Sequence, residues 1–422
     1  MATLTFTGDA QPVAQVTTCT VGGTIEATDV FTITIGNKSL DVIGGSTTAA
    51  TVALAIVTAF TALDSTDYPE FAEITATDNE DGTITLTANT AGVPFVVTLT
   101  STETGGGAAD NQTFVQAATT ANSGPNCWDA AENWSSGAIP VDDTDEVVLE
   151  NSSVDILYGL AQSAVDLVSL TIKQNYTGNV GLPKWNAGGY YEYRDDYLAV
   201  GSAILTIGEG DGQGSGRIKI DTGADIAVIT VLNTGTSAET GVKTFIWKGT
   251  GATNTMLVTK GSVDVARFAG EAATLSVLQI GYQTNQAGDV DIRIGSGVTL
   301  TIVSKTGGTA ELSCGSTTFT HNGGEATLID GAITTLTVEG GTIYDCTNDT
   351  IGTVTVGSDG IVDCSRSMKA HTHTTVVMYK AATYLDPFKV VTHTNDIDLI
   401  HCGINDVTLD LGEHITIGTS AI

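Results

Sequence analysis

Thr335-Leu-Thr-Val-Glu-Gly-Gly-Thr-Ile-Tyr-Asp-Cys346 is followed, eighteen residues on, by Thr353-Val-Thr-Val-Gly-Ser-Asp-Gly-Ile-Val-Asp-Cys364. Each copy alternates apolar and polar residues, breaks at Gly or Asp, and resumes with a second short β-branched run. That is the pattern of strand, turn, strand. A weaker copy, Phe319-Thr-His-Asn-Gly-Gly324, lies just upstream, and Asp289-Val-Asp-Ile-Arg-Ile-Gly-Ser-Gly-Val-Thr-Leu-Thr-Ile302 has the same form. A repeat near eighteen residues suits one coil of a parallel β-helix, because a single coil buries its apolar face only when neighbours stack on it. Leu336 should then stack on Val354, Val338 on Val356, and Cys346 on Cys364. A tandem of β-sandwiches would need longer alternating runs. The expected class is mainly β, with the β-solenoid filling residues 147–422.

The N-terminal part reads differently. Phe31, Ile33 and Ile35 alternate with polar residues, Gly36-Asn37 makes a turn, and Leu40 and Val42 resume the alternation. Ser46 and Thr47 offer N-caps to a helix over 47–63, with Val52, Ile56, Phe60 and Leu63 on one face. Strands are expected at 73–77, 83–88 and 95–100, which gives a small α+β domain over residues 1–120, a sheet covered by one helix. Residues 101–125, rich in Gly, Ala and Thr, read as a linker or extended arm. Within 121–146, a linker and cap, Trp128 and Trp134 stand six apart beside Gly137-Ala-Ile-Pro140 and an acidic run and suggest a packed entry cap, or else a platform for a sugar.

Composition narrows the function classes. The chain has 48 acidic and 16 basic residues among 422, a formal charge of −32. Such a surface repels nucleic acid and anionic membranes and suits solubility of a repetitive β protein. The six cysteines form no CxxC pair, so neither a zinc knuckle nor a disulfide scaffold is expected. The first residues carry neither the basic nor the apolar segment of a signal peptide, so synthesis and folding in a cytoplasm are expected.

Candidate chemistry is sparse. The densest aromatic stretch holds Trp185, Tyr190, Tyr191, Tyr193, Arg194 and Tyr197, a candidate subunit interface or ligand surface. Asp142-Asp143, Asp195-Asp196 and Glu209 with Asp211 are carboxylate pairs of no distinctive spacing, which leaves catalysis without a set of residues and the chain without an expected cofactor. Gly208–Gly216 is a glycine-rich loop without the lysine of a phosphate loop; a tight solenoid corner is the plain reading, a calcium turn the sharper one. His371 and His373 fall on one face of a strand. Three such pairs on a trimer axis would offer six nitrogens to a transition metal, but no carboxylate stands at a fixed spacing beside them.

Asp29-Val-Phe-Thr-Ile-Thr-Ile-Gly-Asn-Lys38 and Ala88-Asn-Thr-Ala-Gly-Val-Pro-Phe95 resemble small domains of tailed-phage structural proteins. Asn133-Trp-Ser-Ser-Gly-Ala-Ile-Pro140, Ile156-Leu-Tyr-Gly-Leu160, Gly178-Asn-Val-Gly-Leu-Pro183 and Tyr190-Tyr-Glu-Tyr-Arg194 are similar to proteins encoded among phage head genes. The resemblance implies a virion component on the capsid surface, a head-decoration protein that is trimeric and binds the major capsid protein, with no catalytic residues. A tail fibre or tailspike binding a host glycan is the alternative. The Asn133–Pro140 piece also resembles repeats of bacterial surface adhesins.

Overall fold

The structure is a computed structural model that describes residues 2–104, 111–141, 143–183, 196–281 and 290–412. It is mainly β, with a long all-parallel array of 22 described strands and a small antiparallel N-terminal domain.

The small domain holds two sheets around one core. Strands Ile74–Asp78, Thr83–Ala88, Val16–Gly22 and Thr113–Thr120 form a four-stranded sheet in that order, and Lys38–Ile43, Val30–Ile35 and Val97–Thr102 a three-stranded one. Phe31, Ile33 and Ile35 point inward as their alternation requires. The helix runs Ala49–Thr61 and buries Val52, Ile56 and Phe60 on one side; Leu63 lies beyond its end, half-buried. Its N-cap is Thr48 without a side-chain cap, and the Ser46 hydroxyl accepts from the Thr48 amide instead. The stretch read as a linker contains a true strand: Thr113–Thr120 pairs antiparallel with Val16–Gly22, and Phe114 meets Phe31 edge-on at 5.9 Å. One buried aromatic is a weak sequence signal, but the backbone of Val16–Gly22 supplies the rest of the pairing.

The first strand leaves this domain. Ala2–Thr5 pairs in parallel with Asp145–Leu149, which adds this strand to the solenoid. From there one inward column can be followed by register alone. It runs Leu4, Val147, Leu170, Leu205, Ile229, Met256, Leu278, Val303, Phe319, Leu336, Val354, Val376, Ile397. All but Ile397 are at most 3% exposed. With strands about 4.8 Å apart, thirteen rungs span about 58 Å. Each buried aliphatic contributes roughly 1.5–3 kcal/mol only when the rungs above and below exclude water. The coil is therefore stable as a stack and not as a unit.

A second column carries Leu149, Ile172, Ile207, Val231, Val258 and Ile280, then Lys305 and His321, then Val338, Val356 and Met378. The buried Lys305 ammonium donates to the carbonyls of Gly308 (2.8 Å) and Gly323 (2.7 Å), which satisfies it without a carboxylate. Gly324 (φ 75°) leaves the room: a Cβ there would stand 2.7 Å from Nζ.

Leu336 does face Val354, and Val338 faces Val356. Cys346 does not face Cys364. Between Val338/Val356 and Gly340/Asp359 the single residue Glu339 lies opposite both Gly357 and Ser358, a β-bulge that moves the register from eighteen residues to nineteen. Tyr344 consequently pairs with Asp363, which carries Cys364 to the level of Asp345. Cys364 and Asp345 are buried, whereas Cys346 is half-buried.

Candidate functional site

Three inward columns change character near the end of the solenoid. Ile294, Leu312 and Leu328 are succeeded by Asp345. Ile333 and Ile351 are succeeded by His373 and then His393. Ala326, Ile343 and Val362 are succeeded by Tyr384. Strand geometry sends alternate side chains to one face, so His371, two residues before His373, points inward with it.

Two of these histidines converge on one carboxylate oxygen. Asp345 Oδ2 lies 2.8 Å from His373 Nε2 and 3.2 Å from His371 Nε2, and all three side chains have no exposure. The far side of His373 is held by the Tyr384 hydroxyl, 2.7 Å from Nδ1. His371 Nδ1 lies 3.0 Å from the Lys369 carbonyl. A carbonyl only accepts, so Nδ1 carries a proton. That Nε2 has no hydrogen-bond partner: its approach to Asp345 has ion-pair distance without hydrogen-bond alignment.

The electrostatics follow from this crowding. Burial opposes the charge of Asp345, but the two imidazoles on it outweigh burial and hold its carboxyl below the usual range. Burial likewise opposes a charge on His371, and the Asp345 carboxylate reverses the balance and raises its pKa. His393, edge-on to His373 with ring centroids 6.2 Å apart, has its pKa lowered by burial first and by His373 second; neither of its ring nitrogens has a hydrogen-bond partner. Cys364 is fully buried beside this group, and burial pushes its thiol far up, away from reactivity. Asp386 is satisfied separately by the amides of Val390 and Val391. Among the described residues, Asp345, His371 and His373 are the group whose donor atoms lie close enough, within 4.8 Å of one another, to share one ion. The group can hold a proton or a cation, but no substrate reaches it without parting the coils.

His371 and His373 thus face the core of their own chain and not an axis between chains, which removes the six-nitrogen trimer arrangement. The missing carboxylate was Asp345, two coils away and out of reach of any linear spacing. Trp128 and Trp134 are buried too, at 0% and 2% exposure, and present no face to a sugar. Their rings meet at 4.6 Å, Trp134 meets Phe6 at 5.3 Å, and Trp134 Nε1 donates to the Trp128 carbonyl. Buried Asn133 ties this cap together, accepting from the Ala10 amide and donating to the carbonyls of Gly124 and Cys127. Tyr197 is 4% exposed; its hydroxyl donates to Glu271 at 2.6 Å and its ring lies 4.2 Å from the Lys248 ammonium. Trp185, Tyr190, Tyr191, Tyr193 and Arg194 lie outside the described residues, as do Asp142 and Asp195. Asp196 pairs with buried Lys219 at 3.5 Å, and Glu209, Asp211 and Asp143 are exposed.

No family model matches the sequence, no curated protein is similar to it, and no solved structure matches its fold. No helix among the described residues is long and apolar enough to cross a membrane.

Proposed function

We propose that the chain is a structural protein of a tailed-phage virion, a decoration or stabilising protein on the capsid surface. The observation that carries this reading is the thirteen-rung apolar column. It commits the chain to a stiff rod of about 58 Å, and the Asp345, His371 and His373 cluster in the neighbouring columns is sealed from solvent. A formal charge of −32 keeps such a rod from binding nucleic acid and discourages strand-edge association. The resemblance of the head-gene stretches supplies the virion context, and the small antiparallel domain beside the first rungs is the natural docking element. On this reading the partners are the major capsid protein and other copies of the chain in a trimer.

The reading is tested by co-sedimentation of the purified chain with separated phage heads and tails. Saturable binding to heads supports it. Binding to tails alone, or to a host glycan in the absence of particles, replaces it with the fibre or tailspike reading.

A further inference from the structure

The group around Asp345 has a feature that an internal hydrogen-bond network does not need. His371 Nε2 is fully buried and stands 3.2 Å from an anionic oxygen without hydrogen-bond alignment, so it has no hydrogen-bond partner. A buried polar atom left without a partner is unfavourable. A cation between the two groups gives Nε2 a partner and meets the carboxylate charge.

We infer that Asp345, His371 and His373 bind one divalent transition-metal ion inside the solenoid, through Asp345 Oδ2 and the Nε2 atoms of both histidines. The donor set of two imidazoles and one carboxylate suits zinc, iron(II), cobalt(II) or nickel(II), whereas calcium and magnesium take oxygen cages. The spacing agrees. Ligands at about 2.0–2.2 Å from a tetrahedral ion stand about 3.3–3.5 Å apart; the carboxylate oxygen stands 2.8 and 3.2 Å from the two nitrogens here. An opening of a few tenths of an ångström admits the ion. Both histidines already have their other nitrogen fixed, His371 by the Lys369 carbonyl and His373 by the Tyr384 hydroxyl. Such outer partners are what orients metal-bound imidazoles. Among the described residues no fourth His, Cys, Asp or Glu joins the 4.8 Å group, which leaves the remaining coordination to water or to neighbouring oxygen.

The ion is structural. It links the coil carrying Asp345 to the coil carrying both histidines across the one that lies between them. Because the site has no exposed side chain, the ion enters as the coils close during folding, and binding energy becomes folding energy.

The test is to unfold the full chain in guanidinium with chelator and refold it with cobalt(II), with zinc(II) or with chelator alone. The inference expects one metal per chain after desalting, visible cobalt absorption bands, and a melting temperature several degrees above that of the chelated protein. Asp345→Asn, which keeps the shape of the side chain, should lose the bands and bind roughly tenfold or more weakly. His401→Asn, at an exposed histidine whose φ of 55° asparagine tolerates, should keep them. A wild-type chain that retains no more cobalt or zinc than Asp345→Asn, or that melts at the same temperature with and without metal, overturns the inference. The wild-type comparison alone decides if the Asp345 variant fails to fold.

Discussion

Leu328 and Asp345 are register partners on successive coils, both pointing into the solenoid and both buried, at 1% and 0% exposure. One fills the column with methyl groups and the next fills it with a carboxylate. The substitution is tolerated because His371 and His373 arrive from a later coil to meet the charge. The three side chains form one unit, and removing one leaves the others buried without their counterpart.

Asp345→Leu, which extends the Leu328 column, is expected to destabilise the metal-free chain by roughly 3 kcal/mol, because buried His373 loses the partner of its Nε2 and both imidazoles lose the carboxylate charge beside them. The triple variant Asp345→Leu, His371→Val, His373→Ile should recover most of that loss, since well-packed apolar groups often replace a buried ionic cluster without penalty. Thermal melts in chelator measure both; a triple variant no more stable than the single one contradicts the unit.

Arg293 and Asp264 are partners across adjacent coils, joined by two bonds of 2.7 Å, with the Asp264 side chain fully buried. The arginine fork matches a carboxylate in a way that lysine does not. Arg293→Ala should cost about 3–5 kcal/mol by stranding the buried charge, and Arg293→Lys an intermediate amount. Denaturation midpoints of the two variants check the order.

His321 gives the fold a specific acid sensitivity. Burial first, and the neighbouring Lys305 charge second, hold its pKa down to about 4 against 6.5 for the free side chain. Between these values the unfolded chain binds a proton that the native chain refuses. Stability is therefore lost as pH falls from 6.5 towards 4, by about 3 kcal/mol at the limit. His321→Gln does not titrate, so the stability difference between it and wild type should shift by that amount between pH 7 and pH 4. Parallel pH profiles for the two proteins would remove His321 as the cause.

Position along the column sets the effect of a cavity. Leu336→Ala, at a rung with full neighbours, should cost about 2–5 kcal/mol. Ile397→Ala, at a half-buried position of the same column, should cost about 1 kcal/mol or less. Amide hydrogen exchange should show the same gradient, with amides around half-buried Ile397 exchanging before those around buried Leu336.

The solenoid was legible because its signal is repetitive: Leu336 over Val354 and Val338 over Val356 follow from one aligned pair of segments. The polar cluster was not legible, for a local reason. The bulge opposite Glu339 shifts the register by one residue, and in a strand one residue exchanges inside for outside. Aligned by letters, Asp345 matches Asp363 and Cys346 matches Cys364; in the structure Asp345 and Cys364 share the interior. The strand Thr113–Thr120 escaped for another reason, since its pairing rests on backbone bonds to Val16–Gly22 and carries a single buried aromatic, Phe114. That both tryptophans are spent inside the cap follows from Phe6, which is brought beside Trp134 only when the first strand joins the solenoid.

The central claim, a rod-shaped structural protein of the virion head, is tested most directly by immunogold electron microscopy of phage particles from the source culture, with antibody raised to the recombinant chain. Gold distributed over heads is the predicted result. Gold confined to tail tips, or particles that carry none, would contradict it.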